Sequence, residues 1–146
     1  MALFSGTYHH KVDLKGKVSV PKTFRKGLTG DMVWLTQGPH DENIWLYDQE
    51  RWVERMSKLD NLADGEEAYD LKLFMLGSAH EVQIDAVGRI QIPQALRSFA
   101  GIDNNAVSFV GMGSRVEIWE KDRLETRRAK IVEQKNVPKY MRDFNI

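Results

Sequence analysis

A turn-and-strand phrase occurs twice in this chain at a fixed spacing, and that repetition limits the possible folds more than any other feature. Residues 11–25 read K-V-D-L-K-G-K-V-S-V-P-K-T-F-R, and residues 83–97 read Q-I-D-A-V-G-R-I-Q-I-P-Q-A-L-R. Asp13, Gly16, Pro21 and Arg25 stand against Asp85, Gly88, Pro93 and Arg97, each pair 72 positions apart (85 − 13 = 72). Self-similarity at a fixed period signals a repeated supersecondary unit. Each unit takes about half of the 146 residues, close to the size at which a separate core becomes marginal. The two units are therefore expected to share one core, or several chains to share a larger one.

Each unit reads in the same order. Residues 7–12 suggest a strand, residues 13–17 a tight turn in which Gly16 supplies positive φ, and residues 17–20 a second strand. Pro21 suits the first position of a short helix carrying Phe24 and Leu28. Gly27 and Gly30 end that helix, and residues 32–36 and 44–47 follow as strands. Asp48 fits an N-cap, opening a helix to about residue 62 with Trp52, Val53, Met56 and Leu59 as its apolar stripe. After a break at residues 63–65, a helix over 66–76 should turn Tyr69 and Leu73 inward. The second unit gives strands at 81–84, 89–92, 107–111 and 116–119, a short helix at 93–100, and a helix from Glu120. Its register slips by three after the short helix and recovers by Val116. Beyond Val137-Pro138 an irregular tail is expected. The implied layout is a first unit at 7–54, a helical connector at 55–78, a second unit at 79–122, and a C-terminal helix and tail at 123–146.

Composition removes several functions. There is no cysteine, hence no disulfide and no thiolate zinc site. No apolar run approaches the roughly 18–20 residues of a membrane span, and the opening M-A-L-F-S-G lacks a signal peptide's regions. A cytoplasmic protein without membrane contact is the expectation. Net charge is zero, yet residues 8–28 carry six bases against one acid, while residues 41–70 carry ten acids against three bases. Such asymmetry creates a directed field that a polyanion feels more than the total charge.

No nucleophile elbow, phosphate loop or zinc-protease motif occurs, so an enzyme, a cofactor or a small-molecule substrate is not expected. His9 and His10 are adjacent and on a strand point to opposite faces, which argues against a shared metal. The two D-x-x-G-[K/R] turns are the better lead. An acid four residues before a base can bind the turn amides and hold the facing cation, limiting the entropy lost when that cation meets phosphate. The candidate DNA-binding residues are Lys15, Lys17, Lys22, Arg25 and Arg89; Asp13, Gly16, Asp85 and Gly88 orient the turns. Because residues 80–100 are nearly neutral, Arg89 is expected to be mainly structural.

At these residues the chain resembles the MraZ family of bacterial transcriptional regulators. The marks are Asp85-Ala-Val-Gly-Arg89 with Ile90-Gln-Ile-Pro93 and Leu96-Arg97, then Phe99-Ala-Gly101, Phe109-Val-Gly111 and Val116-Glu-Ile-Trp119. The first copy has Lys17 where the family pattern has arginine, and the likeness runs from about residue 3 to 124. The resemblance implies an α+β, β-rich fold: two SpoVT/AbrB-like ββαββ repeats interlocked as a double-split, swapped-hairpin β-barrel, with helices after each repeat. It also implies a nucleoid-associated regulator that assembles as a homo-oligomeric ring. Such a ring would bind short direct repeats in double-stranded DNA upstream of its own division and cell-wall gene cluster. Two other classes stand beside it. Trp45, Trp52 and Trp119 would suit an oligomeric protein-interaction module, although their spacing also suits a core. An antitoxin sharing the AbrB-like half is the other, and the doubled turn weighs against it.

Overall fold

The computed structural model describes residues 2–103 and 105–146. The first unit comprises β1 (Thr7–Lys11), β2 (Lys17–Ser19), α1 (Lys22–Gly27), β3 (Met32–Gln37) and β4 (Ile44–Asp48), followed by α2 (Gln49–Asp60) and α3 (Glu66–Met75). The second comprises β5 (His80–Gln83), β6 (Arg89–Gln91), α4 (Gln94–Ala100), β7 (Ala106–Gly111) and β8 (Val116–Glu120), followed by α5 (Lys121–Gln134) and α6 (Val137–Asp143). The class is the expected sheet-rich α+β with two repeats.

Pairing runs between the units as much as within them. One sheet has the order β1-β7-β8-β4-β3-β5, and β2 and β6 form a separate two-stranded ribbon. The first strand of each unit thus pairs with the third strand of the other, β1 with β7 and β5 with β3. Among the described residues the strands form this open sheet and ribbon rather than one closed barrel. Two central pairs join a residue to its own counterpart: Val18 faces Ile90 and Trp45 faces Glu117, each 72 positions apart (90 − 18 = 72). The repeat is therefore an approximate two-fold axis through ribbon and sheet. The slip after the short helix is two residues, not three, since β3 and β7 begin 74 apart (106 − 32 = 74).

One core serves both units. Val12, Val18, Val20, Phe24 and Leu35 from the first pack with Ile90, Ile92, Leu96, Val107 and Phe109 from the second, all at most 1% exposed. Burying side chains of this size contributes roughly 1.5–3 kcal/mol each, so neither half keeps its stability if the other is removed. A second cluster, Trp45, Tyr47, Trp52, Met56, Leu59 and Met75, lies beneath α2 and α3. Asp48 is the N-cap foreseen, accepting from the Arg51 N–H at 2.9 Å.

Other expectations are corrected. Val53, Tyr69 and Leu73 are 50%, 66% and 61% exposed, because α2 and α3 turn Trp52, Met56 and Met75 to the sheet instead. Pro21 and Pro93 are the last residues before their helices, with ψ of 133° and 143°. The tail beyond Val137 is helical: Pro138 sits in the first turn of α6, where its missing N–H costs nothing.

Candidate nucleic-acid interface

The ribbon carries the sequence-predicted site. Along β2 and β6 side chains alternate, so Val18 and Ile90 enter the core at 1% exposure, while Lys17, Ser19, Arg89 and Gln91 share the outward face. Lys17 pairs with Gln91 and Ser19 with Arg89, which makes the two cations diagonal neighbours about 7–8 Å apart. The ribbon is extended at both ends by glycine carbonyls, Val20 N–H donating to Gly88 and Ile92 N–H to Gly16, each at 2.9 Å. Lys15 lies beside Gln91, whose side-chain amide donates to the Lys15 carbonyl at 3.1 Å. Lys22 opens α1 two residues beyond Val20 and is exposed.

Each turn is built by its aspartate. Asp13 Oδ1 accepts from the N–H groups of Lys15 at 2.9 Å and Lys17 at 2.8 Å; Asp85 Oδ1 accepts from Val87 at 3.0 Å and Arg89 at 2.9 Å. Gly16 and Gly88 close the turns at φ of +84° and +87°, a region costing other residues roughly 1–2 kcal/mol. Both carboxyls are held below their ordinary 3.8. For Asp13 the largest cause is the Lys17 N–H bond, aided against desolvation by the Lys15 N–H and the charges of Arg89 and Lys17. For Asp85 it is the Arg89 N–H bond, with Val87 N–H and the charges of Arg89 and Lys17 acting likewise. Each acid thus feels the cation of the opposite turn as well as its own.

The arginines divide into two kinds. Arg25 Nε donates to the Val20 carbonyl at 3.0 Å, and its guanidinium lies on the opposite turn, where a Cβ on Gly88 would fall 2.5 Å from Cζ. Arg97 mirrors it, donating to Ile92 at 2.9 Å and covering Gly16, where a Cβ would fall 2.6 Å from Nε. Each unit therefore clamps the turn of the other. Arg89 differs: its side chain is 42% exposed, and its Nε lies 3.6 Å from Asp85 Oδ2, within ion-pair range but beyond hydrogen-bond length. That Nε is itself buried and has no hydrogen-bond partner among the described residues; Lys15, Lys17 and Lys22 make no ion pair among the described residues. The sequence reading named Lys15, Lys17, Lys22, Arg25 and Arg89 as candidates; the structure puts Lys17 and Arg89 on the ribbon face, Lys15 beside Gln91, Lys22 at the start of α1 and Arg25 over Gly88. It missed Arg97, although the repeat had aligned it with Arg25, and it missed Ser19 and Gln91, which only the strand alternation brings to the face.

Elsewhere several polar groups are paired within the chain, although Asn43 Oδ1 and Tyr47 OH are buried without a partner among the described residues. His9 Nδ1 bonds Ser108 Oγ and His10 Nδ1 bonds the Ser19 carbonyl. Glu117, 4% exposed, accepts from Asn43, Arg115 and Trp119, while Arg115 stacks 3.5 Å over Trp45. Trp45, Trp52 and Trp119 are 5%, 6% and 6% exposed, so they are core residues and not an interaction surface. Among the described residues no helix is long and apolar enough to cross a membrane.

Two interlocked repeats that turn a paired cationic ribbon outward define a class of two-unit, sheet-rich proteins. Comparison with known proteins identifies the family. The family model described as "MraZ protein, putative antitoxin-like" matches residues 3–72 and again residues 75–144. A transcriptional regulator MraZ of Lachnoclostridium phytofermentans is 39% identical over 124 residues, covering 85% of this chain and 86% of the relative. The one of Acetivibrio thermocellus is 40% identical over 126 residues, 85% of each chain. That of Herpetosiphon aurantiacus is 38% identical over 125 residues, again 85% of each. The chain belongs to the MraZ family. These relatives are named as regulators rather than enzymes, in keeping with the sequence expectation.

Proposed function

We propose that this chain is a cytoplasmic, nucleoid-associated DNA-binding transcriptional regulator that contacts double-stranded DNA with the outward face of the β2–β6 ribbon. The observation that carries this reading is the pair Lys17 and Arg89, diagonal on one exposed face and held by their turns, with no side-chain hydrogen bond among the described residues. Lys15 and Lys22 add phosphate contacts beside it. Arg25 and Arg97 keep the turns in shape, and Asp13, Gly16, Asp85 and Gly88 set their geometry. The exchange of first strands between the units supports describing the fold as a double-split barrel.

The two-fold-related turns are chemically unequal, with Lys15 and Lys17 facing Val87 and Arg89 at matched positions. An unequal pair reads a site with direction, which suits direct repeats better than palindromes. Four or five phosphate contacts per chain bind weakly at physiological salt, and linking copies in a ring raises effective concentration without new contacts. Short repeats upstream of its own division and cell-wall gene cluster are the proposed target. The names of the relatives support the regulatory reading. The test titrates labelled DNA from the chain's own upstream region and a shuffled sequence of equal length with wild type and Lys17→Ala. Preference for the upstream DNA, with affinity lost in the variant while the assembly mass persists, is expected. Equal, weak binding to both DNAs by both proteins would refute it.

A further inference from the structure

The far end of α5 and all of α6 are left uncovered by the described residues of their own chain. α5 packs on β7 and β8 near Leu124, but from Arg128 onward every residue except Asn136 is exposed. On α6 and its C-cap the apolar residues fall at Val137, Tyr140, Met141 and Phe144, the i, i+3, i+4, i+7 spacing of a helix that docks in a groove. They are 44%, 48%, 47% and 73% exposed. Lys135, Lys139 and Arg142 accompany this stripe; Lys139 pairs with Asp143 at 2.8 Å, while the other two have no carboxylate partner among the described residues.

A groove of matching character lies at α2 and α3. A cavity of about 310 Å³, with Met56, Leu59 and Met75 in its wall, adjoins a second one at the 62–68 loop, and Leu62 and Leu71 line both. The second cavity is lined by Asp64, Glu66 and Glu67, none of which makes an ion pair among the described residues. Arg55 and Lys58 line the first cavity, leaving a cation for Asp143. A further groove, near Trp119 and Ile131, has its acids Asp41 and Glu117 already paired with Arg127 and Arg115, leaving no free carboxylate in its lining for the bases of α6.

We propose that α6 of one copy docks its apolar stripe into the α2–α3 groove of the next copy, its bases meeting the acidic lining. The inference rests on the reading of the chain as a self-assembling regulator and names the junction. The two surfaces differ, so the contact is head-to-tail, the kind that closes rings or runs on as filaments. It also explains why a chain of zero net charge separates its charge so strongly: the acidic connector and the basic terminus are each other's partners between copies.

Two variants test it. Met141→Ser/Phe144→Ser removes the stripe, and Leu62→Ser/Leu71→Ser removes the groove; all four positions are at least 40% exposed, so circular dichroism should show both proteins folded. Light scattering of wild type should give a multi-chain mass and each variant alone the mass of one chain. An equimolar mixture should give two chains and nothing larger, because one intact junction is all it can form. Wild-type mass in either variant would overturn this junction while leaving self-assembly standing. A mixture that stays at one chain would overturn the pairing of these two surfaces. A wild type that is itself one chain at all concentrations would overturn both the junction and the ring.

Discussion

Replacing Gly16 by alanine should destabilise the protein in a way that depends on a residue 81 positions away (97 − 16 = 81). Two costs are visible. The φ of +84° charges a Cβ roughly 1–2 kcal/mol. The new Cβ would also fall 2.6 Å from Arg97 Nε and 2.7 Å from Cζ, displacing the guanidinium from its 2.9 Å bond to the Ile92 carbonyl. For a half-buried charged donor that loss is about 1 kcal/mol. The expected total is about 2–3 kcal/mol, or a fall in Tm of about 4–12 °C at this chain length. Arg97→Ala removes the clash with the clamp, so the double variant should be less damaged than the sum by about 1 kcal/mol, beyond the 0.3–0.5 kcal/mol scatter of independent sites. Pairing Gly16→Ala with Arg25→Ala should show no coupling, since Arg25 covers Gly88. Thermal unfolding at one fixed protein concentration measures all of these. Additivity with Arg97, or coupling with Arg25 instead, would refute the crossed clamp.

Other perturbations separate the remaining parts of the account. Lys17→Ala should lower the magnitude of the log–log salt slope of DNA binding by about 0.9, while Lys17→Arg keeps it; an unchanged slope in the alanine variant would remove Lys17 from the phosphate contacts. Asp85→Asn should be less stable than wild type at neutral pH. Because the folded carboxyl titrates below its ordinary 3.8, its contribution is complete above about pH 5 and disappears as pH falls through the folded value. Stability curves for the two proteins should therefore converge on acidification; a gap that persists or widens in acid would contradict the assignment. Glu117→Ala leaves the largely covered Arg115 without its partner and orphans the donors of Asn43 and Trp119, at a cost of about 3 kcal/mol, the low end for a buried pair. Glu117→Gln, which keeps an acceptor, should cost clearly less in urea denaturation, and equal losses would count against the network.

What could be read from the sequence was local. The D-x-x-G turn forms its own hydrogen bonds within five residues, so Asp13 and Asp85 announced both turns and their glycines. Asp48 caps α2 as its position before a helical pattern suggested, and Glu120, read as the start of a helix, is the N-cap of α5. What failed was set by distant neighbours. Nothing along the chain reveals that Gly88, from the other unit, lies under the Arg25 guanidinium. Tyr69 and Leu73 were turned inward because α3 is short enough for Met75 alone to anchor it deeply. The helix at Val137 was missed because Pro138 was weighed as a breaker, although in a first helical turn it is harmless. Charge totals alone also could not show that the Arg89 side chain is 42% exposed while its Nε is buried.

The central claim is that the ribbon face meets DNA, and the competing basic surface is α5 with Arg123, Arg127, Arg128 and Lys130. Hydrogen exchange read by mass spectrometry, with and without the upstream DNA, compares the two directly. Slowed exchange in peptides covering residues 13–19 and 85–91, with residues 121–134 unchanged, is the predicted result. Protection confined to α5 while both turns exchange at their original rates would contradict the account.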